Sequence, residues 1–382
     1  MLIAFLAVTG CRGDVSSFSA DDRDERFEEA ALRLTFNDGD ERTPSWSANG
    51  DSIYYSAEGF EEFSGQPGVL VRISRARSAA TPVLRNVQRP GGVQRWLIAP
   101  TVAGSRLAYV EIGRFWPSDP PSCPQVVPEC DVVLSDLTLP PLRQVVLRVR
   151  ELDAVGPLEE DPALTVEFEG VTLDLISFPR NLTVRDHPYQ RLFAEERASV
   201  FRTSWDPDGQ RLVFSDGLRL RIWAVGAQAA EPIPGSDDAV DAAWSPAGQW
   251  IAFSRLERAD STRATCLYIP PLPPPTVTCV VEFTRYEVGR RILSLIRPDG
   301  SEIRELGDGE EPAWSADGGS LFFRRENWIW QSDPDGSGAT PLPFTEGGRE
   351  PAVSSDGRRL AFARLSERGD YDIWVITLDL LP

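Results

Sequence analysis

Carboxylates are the residues of this chain with the most chemistry to offer. Its 382 residues carry 58 Asp and Glu against 39 Lys and Arg, a formal net charge of −19. Two adjacent pairs, Asp237-Asp238 and Glu310-Glu311, have the residue types that glycoside cleavage uses as acid and base. The tetrapeptide DPDG, at 206–209 and 333–336, has the opening ligands of a calcium loop but not the full set, and reads as a hairpin turn. The one histidine, His187, cannot build a multi-histidine metal site. No G-x-S-x-G elbow supplies a nucleophile for it to activate. Neighbouring carboxylates in so acidic a chain are usually solvated, so the pattern points to no catalytic constellation, no cofactor and no metal. The charge also argues against nucleic acid, whose affinity comes from cations neutralising phosphates, and against an anionic membrane surface.

What these residues do depends on the elements that hold them, and the chain repeats itself. PSWSANGDSIYY (44–55), APTVAGSRLAY (99–109), TSWDPDGQRLVF (203–214), AAWSPAGQWIAF (242–253), PAWSADGGSLFF (312–323) and PAVSSDGRRLAF (351–362) are copies of one phrase. Aligned on Gly50, Gly104, Gly209, Gly248, Gly318 and Gly357, every copy has Ile or Leu three residues later and Tyr or Phe two beyond that. The slot four residues before the glycine holds Trp46, Pro100, Trp205, Trp244, Trp314 or Val353. Glycine permits the tight turn, and the Ile/Leu-x-aromatic alternation puts both large side chains on one face of a strand. A third strand follows each copy (VLVRISR, DVVLSDL, LRLRIWAV, RILSLIR, WIWQSD, DIWVITLD), and most copies add a fourth short segment. Four short antiparallel strands at a period near 40 predict the blade of a β-propeller. Successive glycines are 54, 105, 39, 70 and 39 residues apart, so two intervals are the bare period and three carry insertions. The last copy lacks a fourth strand, and the segment near 31–36 is expected to supply it, closing the ring. The chain is thus expected to be all-β, a six-bladed propeller over 29–382, or seven-bladed if 143–200 forms a degenerate blade rather than an insertion.

The pattern W-S-x-D-G-x-x-[IL]-A-F, followed by a D-I-W-V-type strand, resembles the TolB-like propeller repeat, a relative of the WD-type repeats. The likeness covers roughly 30–140 and 200–382. It implies a non-enzymatic envelope protein, a monomer that binds another envelope protein or a small ligand. TolB carries an α/β domain before its propeller; here residues 12–28 are expected to be a tether. In propellers the residues just before the innermost strand face the central channel. Thr43, Arg202, Asp241, Glu311 and Glu350 stand three positions before the Trp slot, with Arg42 and Glu310 beside them. They are expected to make a mixed, mainly acidic mouth able to hold a cation or a basic peptide. The rival readings are a glycan-active hydrolase or lyase using those carboxylates, and a ligand sensor.

The opening MLIAFLAVTGC has an apolar run too short to span a bilayer but long enough for a signal-peptide core. Val8-Thr9-Gly10-Cys11 resembles the bacterial lipobox, which implies lipidation of Cys11. Arg12 after the cysteine implies the outer membrane, periplasmic side, so that the membrane is reached only through the lipid. The remaining cysteines bracket two Pro-rich excursions, Cys123/Cys130 and Cys266/Cys279. Exported proteins keep disulfides, and local pairing is expected, although four cysteines allow three connectivities.

Overall fold

The computed structural model describes residues 31–37, 39–57, 69–74, 80–84, 94–115, 142–152, 172–176, 202–216, 219–227, 229–264 and 283–381. A first strand, β1 (Ala31–Arg33), stands apart in sequence from the sheet it joins. Blade 1 is β2 (Glu41–Trp46), β3 (Ser52–Ala57), β4 (Val69–Ser74) and β5 (Thr81–Leu84). Blade 2 is β6 (Gln94–Ala103), β7 (Arg106–Phe115), β8 (Leu142–Glu151) and β9 (Thr172–Ile176). Blade 3 follows with β10 (Ser204–Trp205), β11 (Arg211–Ser215), β12 (Arg219–Ala224) and β13 (Glu231–Asp237). Blade 4 has β14 (Ala239–Trp244), β15 (Ile251–Ala264), β16 (Phe283–Ile296) and β17 (Ile303–Asp308). Blade 5 has β18 (Glu310–Trp314), β19 (Leu321–Arg325), β20 (Trp328–Ser332) and β21 (Thr340–Pro341). Blade 6 is β22 (Gly348–Val353), β23 (Arg359–Leu365) and β24 (Tyr371–Thr377), completed by β1.

All pairings are antiparallel, and the innermost strand of each blade touches its neighbours in order, with blade 6 returning to blade 1. This is a six-bladed β-propeller. The clasp is the expected one: Ala31 pairs with Ile376 and Arg33 with Trp374. The strand from the other end of the chain is the outermost of blade 6 and covers the edge that β24 would otherwise leave open.

The repeat phrase explains the packing. Each repeat glycine adopts a positive φ, between 57° and 72°, in a turn that a side chain would strain. Ile53/Tyr55, Leu107/Tyr109, Leu212/Phe214, Ile251/Phe253, Leu321/Phe323 and Leu360/Phe362 are all at most 3% exposed. They do not build one central core. Each pair enters a seam shared with the preceding blade: Tyr55 meets Ala361 and Ala363, Phe214 meets Ala108 and Val110, and Phe362 meets Phe322. The other three pairs occupy equivalent seams. Burying each such side chain contributes about 1.5–3 kcal/mol, so stability is distributed around the ring.

Blade 2 departs from the expected register in three ways. Its hairpin is two residues tighter, with Ala103 paired to Arg106, so the partner of Leu107 is Val102 and not Pro100. Its third strand is Leu142–Glu151 rather than DVVLSDL, whose residues 131–137 lie outside the described residues. Finally, 142–151 and 172–176 complete blade 2, which removes the seventh blade. In blade 4, β15 and β16 stay paired as far as Ala264 and Phe283, the base of the Cys266–Cys279 excursion. Cys11, Cys123, Cys130, Cys266, Cys279 and His187 all lie outside the described residues.

Candidate functional site

A repeated backbone distortion marks the inner wall. Thr43, Ala99, Asp241, Glu311 and Glu350 have φ of 53°, 52°, 56°, 55° and 57°. Each sits at a register shift in the innermost strand of blades 1, 2, 4, 5 and 6. A non-glycine residue in this region costs about 1–3 kcal/mol, and a β-branched threonine is the least suited to it. Five recurrences show that the surrounding fold enforces it. The bulge turns the side chain sideways, toward the next blade.

There it meets the equivalent backbone. Glu311 Oε2 accepts the Glu350 N–H at 2.6 Å, Glu350 Oε2 accepts the Thr43 N–H at 2.7 Å, and Thr43 Oγ1 accepts the Ala99 N–H at 3.2 Å. In blade 4 the link runs through a hydroxyl: Ser254 Oγ accepts the Glu311 N–H at 3.1 Å and lies 3.3 Å from Asp241 Oδ2. A second set of links uses the Trp slot. The Trp46 indole N–H donates to Ala352 O, that of Trp205 to Thr101 O and that of Trp314 to Ala243 O, at 3.0, 3.4 and 3.1 Å. In all three, the acceptor is the residue before the slot in the preceding blade.

These residues form a hydrogen-bonded belt from blade to blade, and guanidiniums neutralise it. Arg349 Nη2 donates to Glu311 Oε1 at 3.0 Å, Arg42 donates to Glu350, and Arg291 Nη1 lies 2.8 Å from Glu310 and 3.8 Å from Asp241. Arg324 pairs with the other oxygen of Glu310. Tyr371 lies beneath two of these cations, Arg42 at 5.0 Å and Arg349 at 5.6 Å from its ring centre. Burial alone would push the Glu311 carboxyl up; Arg349, Arg324, the Glu350 N–H and Arg202 reverse this and hold it down at about 2. Asp241 goes the other way. Burial, with the Glu311 charge beside it, raises its pKa well above the usual carboxylate range.

The expected mainly acidic mouth is therefore not what the chain builds. Asp241, Glu311 and Glu350 are fully buried, and four carboxylates in the belt face five guanidiniums once Arg291, Arg324 and Arg349 join Arg42 and Arg202. The remaining sequence candidates stay in solvent or turns. Asp237 is exposed and pairs with Arg219 at 3.3 Å. Asp206 Oδ1 accepts the N–H groups of Gln210 and Arg211, and the Asp333 carbonyl accepts that of Gly336, so both DPDG segments hold hairpin turns.

Inside the belt lies a cavity of about 310 Å³ along the innermost strands, from Thr43 to Ala48 in blade 1 and over the matching residues of blades 2 to 6. The residue before the Trp slot is small in every blade: Ser45, Thr101, Ser204, Ala243, Ala313 and Ala352. Pro44, Pro100, Pro312 and Pro351 add rigid apolar wall. Among the described residues no carboxylate lines the cavity, and Arg202 is its one charged lining side chain. Blade 3 is also where the belt is interrupted. Arg202 holds the belt slot but has no positive φ, and its Nη2 donates at 2.7 Å to Pro351 O in blade 6, across the ring. Sequence reasoning picked out Arg202, but missed Ala99 because the blade 2 copy was aligned two residues out of register.

No protein-family model matches the chain, and no curated protein sequence matches it significantly. Solved structures with a similar fold include TolB from Acinetobacter baumannii, with 11% identity over 82% of this chain and a TM-score of 0.45. A putative TolB from Agrobacterium tumefaciens has 12% identity over 91% of this chain and 96% of its own, with a TM-score of 0.46. An oligogalacturonate lyase from Vibrio parahaemolyticus has 10% identity over 91% of this chain and 93% of its own, with a TM-score of 0.44. The chain spans 57% of the Acinetobacter protein's length. At these identities nothing beyond the fold passes from those proteins to this one.

Proposed function

We propose that this propeller is a non-enzymatic binding scaffold whose ligand-facing element is the central cavity. The observation that carries the reading is the separation of the carboxylates from the cavity wall. Glu310, Glu311, Glu350 and Asp241 are engaged with backbone amides, a hydroxyl or guanidiniums between blades, while the described residues that line the cavity are Pro, Ala, Ser, Thr, Trp and Val, with Arg202. A general acid or base must reach the reacting atom, and none of the four lines the space a substrate would occupy. A concave, largely neutral pocket at the lower end of the usual ligand-site volume suits binding instead. On the sequence features at Val8–Cys11 we place this scaffold in the cell envelope, anchored through Cys11.

Filling the cavity tests the reading. Ser45→Phe and Thr101→Phe place bulk where the wall is small, at side chains that make no hydrogen bond among the described residues. Ligands retained by the wild type should be lost from both variants, with melting unchanged. Retention by both would move the binding face off the channel. Cleavage of an oligosaccharide, abolished by Glu310→Gln at unchanged melting, would refute the non-enzymatic reading.

A further inference from the structure

We propose that the cavity receives a carboxylate, held by the Arg202 guanidinium at its inner end. This deepens the scaffold reading and rests on it. Among the described residues, Arg202 is the only charged side chain lining the cavity. One of its donors is engaged by Pro351 O, whereas Nη1 is buried and has no hydrogen-bond partner among the described residues. A buried guanidinium N–H without an acceptor is costly, and a ligand oxygen would supply the missing one. The surrounding belt does not oppose it, since its four other guanidiniums match its four carboxylates. The site is thus cation-bearing inside an acidic protein, opposite in sign to the basic ligand the sequence suggests.

The wall decides what the anion is attached to. From the level of Arg202 to the hairpin turns at Ala48, Ala316 and Ser355 the cavity runs about five residues of strand, roughly 16 Å. The three turn residues are exposed and form the mouth. Between mouth and guanidinium the lining is Pro, Ala, Trp and Val with scattered hydroxyls, which accept an uncharged body. A single planar guanidinium matches one carboxylate through two parallel N–H···O contacts. A dianionic phosphate would call for a second lining cation, and the cavity offers none among the described residues. Either a small carboxylic acid or the free C-terminus of an extended peptide has this chemistry.

Calorimetric titration near physiological salt tests the proposal with three probes: acetate, N-acetyl-trialanine as the free acid, and the same peptide as its C-terminal amide. The free acid is expected to bind the wild type at least about tenfold more tightly than the amide. Arg202→Gln should erase that preference, and Arg202→Lys should retain part of it. Acetate binding as tightly as the peptide acid identifies a small acid as the ligand; tighter peptide binding identifies a chain end. Equal affinity for acid and amide overturns the proposal, as does a preference that survives in Arg202→Gln or no binding up to millimolar concentration. The channel-filling variants separate the two levels. If acid and amide bind equally and Ser45→Phe blocks both, the carboxylate proposal falls and the channel reading stands. If Ser45→Phe blocks neither, the channel reading falls with it.

Discussion

Glu41 sits at the closure of the ring, where its titration acts on the joint that holds the propeller shut. It begins β2, is 0% exposed, and takes a hydrogen bond from Asn37. Around it the N-terminal segment grips blade 6: Thr35 Oγ1 accepts the Ile373 N–H at 2.8 Å, Asp40 accepts the Tyr371 N–H at 3.1 Å, and Arg33 pairs with Asp372 at 2.7 Å. Burial pushes the Glu41 carboxyl up to about 8 from an ordinary 4.5; Thr35 and Asn37 oppose this, while Asp372 and Asp370 add to it. Asp372 is itself raised to about 6, again mainly by burial. The folded chain therefore keeps a proton on Glu41 that the unfolded chain releases above about pH 4.5. The associated stability is complete below that pH, falls as pH rises, and is lost once pH passes about 8. Each pH unit in the window changes the balance by about 1.4 kcal/mol. Between about pH 6.5 and 8.5, where Asp372 is mostly ionised, the loss comes to about 2 kcal/mol. Glu41→Gln keeps the shape and removes the proton exchange. Urea unfolding at the two pH values should show the variant gaining about 2 kcal/mol on the wild type as pH rises. His187 and the other titrating groups are common to both proteins and cancel in the comparison. A variant stability that keeps pace with the wild type, or falls behind it, as pH rises would refute a protonated Glu41 in the clasp.

On the acid side the sign reverses. Glu311 is held down at about 2, so the stability it contributes is present above about pH 4.5 and disappears as pH falls toward 2. Glu311→Gln leaves Arg349 without its buried partner and should cost about 3 kcal/mol or more at neutral pH, with a shallower acid-unfolding profile that urea melts at stepped pH will record. The indole links are tested by a pair of substitutions. Trp314→Phe leaves the buried acceptor Ala243 O without its indole donor, and should cost about 1 kcal/mol more than Trp330→Phe, whose buried Nε1 has no hydrogen-bond partner among the described residues. Equal losses in denaturant melts would show that the inter-blade hydrogen bond contributes nothing.

The blades were legible because each is specified locally. In every blade the turn glycine and the Ile/Leu two residues from an aromatic lie within one hairpin, whatever insertion precedes the third strand, and the physics linking them is that of a single hairpin. Blade 2 was misregistered for the same reason. Its turn closes on Ala103 and Arg106, so alignment on Gly104 carried Pro100 into the slot that Val102 occupies. The site was legible in its residues and illegible in its sign. Asp241, Glu311 and Glu350 recur at one repeat position, but Arg291 and Arg324 reach them from β16 and β19, strands the repeat phrase does not align with that position. Nor does any composition rule announce a left-handed bulge that turns a carboxylate from the channel into the seam. What the repeat did carry was its own exception. Acceptors hold the slot in blades 1, 4, 5 and 6, while blade 2 has Ala99 and blade 3 has Arg202. A side chain bound into the ring must match its neighbour; one that breaks the series is released from that constraint. Arg202 is the position where the constraint lapses, and among the described residues it is the one charge that lines the cavity.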